Sequence, residues 1–477
     1  MGKTLILKEI HNHLVSFRFL AVFALLLVIV PVTVLILTND TIRKQDEYSQ
    51  RQTDIQNYLA KYAHFNRLYA VLAPSQPPLP LQALVLGLTA VPRLDTFDND
   101  PLPVLFPMID LTFILAILMS LAALIFSYDA VSGEKEDGTL KLMLANGVPR
   151  AKIILAKVVG GTMILWIPFV ISLALSMILL LVHPRIAWSA SDWGAVGMIL
   201  IGAFIYIALF FGLGVLVSSR HASSASSILT SLFLWVLFIL VVPNLSPYVA
   251  SLIRPSPSIV EVNRQIDKIE DADRDDMGRK LEKEMREKLA KEFPVLAGVE
   301  RMNEATIKAE IDRNPGFAKA YAVFRKGREE AWHQANVIQY AKSKVLRDDL
   351  NAKDKAQTKL SVALSMISPL ASLTYLCADL TSSGSRNLVH FDTIRGPWDN
   401  AYDNYMRRKM EDMRKANPTV DIWNTAADVS DMPRFVYKEE SLAGRIAAIL
   451  WPLVVLIVMT FGLFVAAVLS FNRTDVR

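Results

Sequence analysis

Six charge-poor runs, each long enough to cross a bilayer, constrain this chain of 477 residues more than any other feature. The first, Phe19–Leu37, has no charged or amide side chain. As a helix it reaches roughly 28 Å at about 1.5 Å per residue, close to a hydrocarbon thickness of about 30 Å. The other runs are Leu105–Ser127, Ile153–Val182, Trp193–Ser219, Ser226–Val249 and Ile446–Phe471. The sequence therefore predicts an all-α polytopic membrane protein with six transmembrane helices.

The composition supports this class and limits the partners. Hydrophobic residues make up 52% of the chain and the mean hydropathy is +0.33, as is typical of membrane proteins. The net charge is only +5, so a nucleic-acid partner is not indicated. The single cysteine, Cys377, excludes an intrachain disulfide and a metal site built from cysteines. We expect no metal site in this chain.

Basic residues in the short connections set the expected orientation. They gather on the side that holds both termini, at Lys3, Lys8, Arg18, Lys135, Lys141, Arg150, Lys152, Arg220, Arg473 and Arg477. By the positive-inside rule that side is cytoplasmic. We therefore expect both termini in the cytoplasm and the longest connections on the other side of the membrane.

This topology divides the chain into five expected parts. They are an N-terminal amphipathic helix with span one (1–38), an extracytoplasmic loop (39–104), spans two to five (105–249), a helical extracytoplasmic domain between spans five and six (250–443), and span six with a cytoplasmic tail (444–477). The domain 250–443 is much longer than a connection between spans five and six needs to be.

The large domain carries charges of both signs. Residues 261–350 hold 19 basic and 19 acidic side chains, a pattern typical of solvated helix faces. Apolar spacing predicts one helix that ends near Phe293 and another over 317–350, whereas Gly396 and Pro397 predict a loop. The run Ser361–Leu380 is nearly free of charge. We interpret it as an amphipathic segment on the outer membrane surface, with a membrane-spanning helix as the alternative.

The connection between spans two and three, residues 128–150, is named here the motif loop. It reads YDAVSGEKEDGTLKLMLANGVPR. Acidic residues precede Gly138, and Thr139 favours the start of a short helix that carries Leu140 and Leu142. Arg150 is expected at the membrane surface at the start of span three. The pattern predicts a short, stiff amphipathic helix that can transmit a push from a soluble partner to the spans.

The motif loop resembles the corresponding loop of permease subunits in type-2 ABC exporters. That loop reads approximately aromatic, any residue, Asp, and then Glu, Arg or Lys, Glu, any residue, Gly, Thr, Leu, any residue, Leu, any residue, Leu, followed by Pro, any residue, Arg, and Lys. The matching positions are Asp129, Glu134, Lys135, Glu136, Gly138, Thr139, Leu140, Leu142, Leu144, Arg150 and Lys157. The stretches SSRHASSAS and SPLASLTYLCADLTSSG are similar to multicopper-enzyme-maturation permeases, a subgroup with large extracytoplasmic insertions. The insert differs in length across such permeases, so the substrate does not carry over.

The resemblance implies that the motif loop contains a coupling helix, which docks on a separate ABC ATPase subunit that binds ATP and magnesium. The residues expected to couple are Asp129, Glu134, Glu136, Asp137, Gly138, Thr139, Leu140, Leu142 and Arg150. It also implies a second permease copy or a related permease, in the bacterial inner membrane. The fragment Gly2-Lys3-Thr4 is too close to the start to form a phosphate-binding loop. We expect no catalytic residue and no bound cofactor in this chain.

These features predict a permease subunit that couples ATP hydrolysis on the separate ATPase to export of a substrate. Asp110, just inside the outer end of span two, is a candidate for the translocation path. A carboxylate at the level of the lipid headgroups is the alternative role for this residue. A second interpretation of the whole chain is a membrane scaffold or mechanotransmitting subunit, whose helical insert acts on an extracytoplasmic protein.

The lone cysteine makes the topology testable. In a Cys377→Ser background, a cysteine at Ala290 should react with a membrane-impermeant thiol reagent added from outside, because the insert is predicted to be extracytoplasmic. A cysteine at Ala145 in the motif loop should react only after the cells are opened. The reverse labelling pattern would refute the predicted orientation.

Overall fold

The computed structural model describes residues 2–61, 64, 68, 74–87, 109–145, 148–181, 186–296, 298–299, 302, 304–416 and 425–473. These residues are predominantly helical, and six of their helices are long and apolar enough to cross a membrane. The prediction of an all-α polytopic membrane protein with six transmembrane helices is confirmed.

The six spans have well-defined bounds. Spans one, three, four and six are Phe17–Lys61, Arg150–Leu181, Ala190–Arg220 and Leu442–Arg473. Span two consists of Leu111–Phe113, the π-turn Ile114–Met119 and Ser120–Ser127. Span five consists of Ser224–Val236, the π-turn Leu237–Val241 and Val242–Ile253. The predicted start of span two at Leu105 lies outside the described residues.

Further helices precede, connect and follow the spans. They are the N-terminal helix Gly2–Leu14, the two loop helices Ser132–Glu136 and Thr139–Ala145, and then Ile259–Lys268, Arg274–Glu292, Glu304–Arg313, Pro315–Ser365, Pro369–Leu380 and Ser385–Ala416. The π-turn Ile269–Asp273 joins two of them, and Pro80–Ala83 and Pro294–Leu296 are 3-10 turns.

Span four forms the centre of the bundle, where it contacts spans two, three, five and six. Close packing between these spans depends on glycine residues. A Cβ atom at Gly161 of span three would lie 1.9 Å from the ring of Phe211 on span four. A Cβ atom at Gly214 of span four would lie 1.8 Å from Oγ of Ser127 on span two. Small residues therefore set the distances between these spans, as in other membrane helix pairs.

The helix Pro369–Leu380, named here the buried helix, packs against spans four and six. The prediction of a surface segment is wrong for this helix. Leu373, Leu376 and Cys377 are completely buried. Leu376 packs closely on Gly202 of span four, where a Cβ atom would lie 3.0 Å from its side chain. The buried helix has 12 residues, about 18 Å of length, so it is too short to span.

The helix Ser385–Ala416 passes through the predicted loop at Gly396 and Pro397, so that prediction is also wrong. A proline inside a helix costs about 3 kcal/mol. Packing next to the proline offsets this cost, because Trp398 stacks on Tyr402 with ring centroids 5.1 Å apart. The indole of Trp398 also donates to the carbonyl oxygen of Pro433 at 3.0 Å. One contact within the helix and one that is 35 residues away in sequence therefore override the local signal.

The chain divides into two compact units, and Asn244–Leu364 is the second of them. The structure thus divides the predicted domain 250–443 at residue 364. In the second unit, Arg274–Glu292 runs antiparallel to the long helix Pro315–Ser365. The register is fixed where Trp332 covers Gly278 and donates to Glu282 at 3.0 Å, and where Met285 covers Gly327.

Candidate functional site

The motif loop folds as the two loop helices, which are joined by a sharp turn at Gly138. The φ angle of Gly138 is +71°, a left-handed conformation that glycine adopts without strain. The second loop helix begins at Thr139, whose hydroxyl group donates to the carbonyl oxygen of Glu134 at 3.4 Å. A helix does begin at Thr139, although this hydroxyl group donates to a carbonyl oxygen instead of accepting from a backbone N–H as an N-cap does.

A buried lysine of span three holds the first loop helix. The ammonium group of Lys157, which is only 3% exposed, lies 2.7 Å from Oε1 of Glu134 and 3.4 Å from Oε1 of Glu9. A buried charge needs paired and hydrogen-bonded partners. Lys157 therefore fixes the motif loop and the N-terminal helix on the same part of span three.

Two adjacent residues of the motif loop bind the facing ends of spans four and five. Glu136 accepts hydrogen bonds from the backbone N–H of Ser224 at 2.9 Å and from its hydroxyl group at 2.7 Å, at the first turn of span five. Lys135 donates to the carbonyl oxygen of Ser219 at 2.9 Å, at the last turn of span four. Both charges match the helix dipole, negative at an N-terminus and positive at a C-terminus.

The serines on either side of this connection add neutral hydrogen bonds. The hydroxyl group of Ser218 accepts from the backbone N–H groups of Val131 and Ser132, both at 2.9 Å. The hydroxyl groups of Ser132 and Ser224 lie 3.2 Å apart. The stretch SSRHASSAS therefore supplies the partners of the motif loop rather than a separate site.

The two ends of the motif loop bind the first and last spans. Asp129 pairs with Arg18 at 2.9 Å, next to the start of span one. Arg150 donates to the carbonyl oxygens of Phe471 at 2.7 Å and Asn472 at 3.0 Å, at the end of span six. Together with Lys157, Lys135 and Glu136, these contacts connect one loop to spans one, three, four, five and six.

The second loop helix has one buried and one exposed face. Leu140 is 1% exposed and belongs to the core of the bundle. Leu142 is 68% exposed. Lys141, next to it in sequence, and Asp137, before the turn at Gly138, are also exposed. The exposed face combines an apolar side chain with charges of both signs, which suits contact with another protein.

The N-terminal helix packs next to the motif loop. A Cβ atom at Gly160 of span three would lie 3.0 Å from Cβ of Glu9, so glycine permits this close approach. The ring centroid of His13 lies 5.5 Å from that of Phe126 and 6.3 Å from that of Phe211. Burial lowers the pKa of His13 below its ordinary value, which favours the uncharged imidazole beside these aromatic rings.

Asp110 lies at the other end of the bundle and caps span two. Its Oδ1 atom accepts from the backbone N–H of Phe113 at 2.8 Å, and Oδ2 accepts from that of Leu86 at 3.2 Å. Asp110 is 9% exposed and separate from the motif loop. These bonds match the capping role of an aspartate at a helix start, and a role in the translocation path stays a prediction.

A second buried charge lies at the same end as Asp110. Arg445 of span six is 1% exposed and donates to the carbonyl oxygen of Leu380 at 3.2 Å. Its guanidinium lies 3.4 Å from Glu439 and 3.9 Å from Asp192. Arg445 thus joins the buried helix to the starts of spans four and six. Within the described part of the chain, no three His, Cys, Asp or Glu side chains are placed to hold a metal ion.

Comparison with known proteins identifies the family of this chain. The family model described as ABC-2 family transporter protein matches residues 3–476. The chain belongs to this family. The resemblance inferred from the motif loop is therefore confirmed at the level of the family.

Two relatives of this ABC-2 transporter are each named probable ABC transporter permease protein NosY. The relative from Pseudomonas aeruginosa is 32% identical over 130 residues, which are 27% of this chain and 47% of the relative. The relative from Stutzerimonas stutzeri is 31% identical over 125 residues, which are 26% of this chain and 45% of the relative. The chain thus spans about half the length of the curated relatives that it matches.

The structure brings most of the predicted coupling residues together and adds partners that the sequence reasoning missed. Glu9, Arg18 and Ser224 were outside the predicted set, and Lys157 entered only as a match to the family pattern. One signal for Lys157 was present in the sequence, since it is a charged residue inside an otherwise apolar run. Ionisable residues at such positions often mark functional sites.

The ion pairs of Lys157 predict a specific stability effect. Lys157→Met should lower the free energy of unfolding of the detergent-solubilised protein by about 3 kcal/mol, because the carboxylates of Glu9 and Glu134 lose their buried cation. A triple variant that also carries Glu9→Gln and Glu134→Gln should recover most of this loss. Thermal unfolding followed by tryptophan fluorescence measures the effect. Equal stability of Lys157→Met and wild type would contradict it.

Proposed function

We propose that this protein is the permease subunit of an ATP-driven exporter in which a separate ABC ATPase moves the spans through the motif loop. The observation that carries the proposal is the set of contacts of that loop. It follows span two, and its charged side chains reach spans one, three, four, five and six through Asp129, Glu134, Lys135, Glu136 and Arg150. A displacement of this loop therefore acts on the whole bundle.

The exposed face of the second loop helix is the proposed contact for the ATPase. Leu142 stands at the centre of this face and is 68% exposed, whereas Leu140 on the opposite side is buried in the bundle. A helix with this division transmits force, because its outer side meets the partner while its inner side is fixed. ATP and magnesium bind to the ATPase subunit in this proposal.

The same proposal includes an orientation in the membrane, a type of membrane and a second permease. The N-terminal helix and the end of span six lie at the motif-loop end of the bundle, through Glu9 and Phe471. The basic residues of the short connections support a cytoplasmic position for this end. We propose that the chain is a multi-pass protein of the bacterial inner membrane and that it works with a second permease. The proposed direction of transport is export, as in the family that it resembles.

The second unit, Asn244–Leu364, favours a second candidate function. It has two apolar clusters of its own, around Phe317 with Phe324 and around Val262 with Leu350. Two polar contacts join its antiparallel segments. The indole N–H of Trp332 donates to Glu282, and Arg347 forms an ion pair with Glu270 at 2.7 Å. A self-supporting unit of this kind suits contact with an extracytoplasmic protein. ATP-driven movement would then be passed to that protein.

A substitution on the exposed face tests the coupling proposal. Leu142→Asp should lower the affinity of the permease for its ATPase roughly tenfold, the usual effect of losing one central apolar contact. The fold should be unaffected, because Leu142 is largely exposed. Co-purification and titration of the two subunits measure the change.

Two controls belong to this experiment. Leu142→Met keeps an apolar side chain and should retain wild-type affinity. Val436→Asp introduces the same charge at a position that is 72% exposed and precedes the start of span six, far from the motif loop, and should also bind normally. Unchanged affinity in Leu142→Asp would show that this face does not contact the ATPase.

A deletion tests the second candidate function. Replacing residues 260–351 by a short flexible linker should preserve membrane insertion and ATPase association but should fail to complement a strain that lacks this permease. A short linker is sufficient because the hydroxyl group of Ser256 donates to Asp354, which brings the cut ends together. Full complementation by the deletion variant would rule out an essential partner of the second unit.

A further inference from the structure

Spans two and five are both interrupted by a π-turn, Ile114–Met119 and Leu237–Val241. A π-turn adds one residue to the helix and shifts the register of its hydrogen bonds, so helices bend there. Inside a bilayer the displaced carbonyl groups need donors from within the protein. The position of a π-turn in a span is therefore supported by its neighbours.

Each of the two π-turns has such a donor. The hydroxyl group of Tyr206 on span four, which is fully buried, donates to the carbonyl oxygen of Ala116 at 2.9 Å. The hydroxyl group of Ser368, at the start of the buried helix, donates to the carbonyl oxygen of Phe238. The surrounding elements thus hold both irregular turns in place.

One hydrogen bond connects the two spans beside their π-turns. The indole N–H of Trp235 donates to the hydroxyl group of Ser120 at 2.8 Å. Ser120 directly follows the π-turn of span two, and Trp235 stands two residues before the π-turn of span five. Ser120 in turn donates to the carbonyl oxygen of Ala116. Bending at one turn therefore changes the contacts of the other.

Along the chain, one of the two π-turns precedes the motif loop and the other precedes the second unit. Span two leads directly into the motif loop at Tyr128. The second unit begins at Asn244, three residues after the π-turn of span five, and ends at Leu364, four residues before Ser368. The bond from Ser368 to Phe238 joins the segments that enter and leave the second unit.

We propose that the two π-turns, joined through Trp235 and Ser120, form one hinge that passes movement of the motif loop to the second unit. The proposal rests on the coupling function proposed above for that loop. When the motif loop moves, span two bends at Ile114–Met119, and Trp235 carries the change to span five. Ser368 then carries it to the segment that leaves the second unit.

Distances between spin labels test the hinge in the full complex. In a Cys377→Ser background, labels at Lys283 in the second unit and Val436 in the first report on the relation between the two units; both positions are exposed. The permease with its ATPase is reconstituted in lipid discs and measured with and without a non-hydrolysable ATP analogue. We expect the analogue to change the ratio of two distance populations.

The variants remove the connecting bond from either side. Trp235→Phe and Ser120→Ala should each reduce the nucleotide-driven change in that ratio about fivefold, the usual effect of one hydrogen bond. The double variant should show little further loss, because both changes remove the same bond. Trp166→Phe is the matched control. It removes an indole bond between spans three and four, Trp166 to the carbonyl of Leu200 at 3.2 Å, and should respond as wild type.

The outcomes separate the hinge from the coupling function. If Trp235→Phe and Ser120→Ala both respond as wild type, or if wild type with bound and active ATPase shows no nucleotide-driven change, the hinge is refuted while the coupling function stands. If the wild-type permease does not retain the ATPase at all, both proposals fail. A loss of response in Trp166→Phe equal to that in Trp235→Phe also refutes the hinge, because the effect would then not be specific to the π-turns.

Discussion

A charge inside a membrane-spanning helix must find its partners within the protein, and the motif-loop end of this bundle depends on that requirement. Lys157 lies inside the apolar run of span three and is almost completely buried. Its ion pairs with Glu134 and Glu9 place the motif loop and the N-terminal helix. With the loop in this position, Lys135 and Glu136 reach the ends of spans four and five. The remaining contacts of the loop follow from this arrangement.

The number of spans and the fold class could be predicted because length and apolar content act locally. The start of the second loop helix at Thr139 could be predicted because helix-start signals also act locally. The partners could not, since Glu136 and Ser224 are 88 residues apart in sequence and neither is unusual by itself. Pro369–Leu380 is buried because it packs against spans four and six, where Leu376 lies on Gly202. The serines of that segment indicate a surface position until its neighbours are known.

The π-turns show another limit of sequence reasoning. Ile114–Met119 has no proline or glycine, the usual local signs of an irregular helix, whereas Pro243 follows Leu237–Val241 by two residues and is such a sign. The turns depend on donors from elsewhere in the chain, Tyr206 and Ser368. The same dependence explains why an irregular backbone is stable in an apolar environment. It also places two irregular turns in spans that are otherwise α-helical.

The bonds between Arg150 and the end of span six have a consequence for biosynthesis. Arg150 is made early, whereas its acceptors at Phe471 and Asn472 are made only after the second unit and the last span. These two acceptors are therefore absent until more than half of the chain has been added after Arg150. The contacts of the motif loop are complete only in a chain that includes span six, so a truncation before span six removes these two bonds.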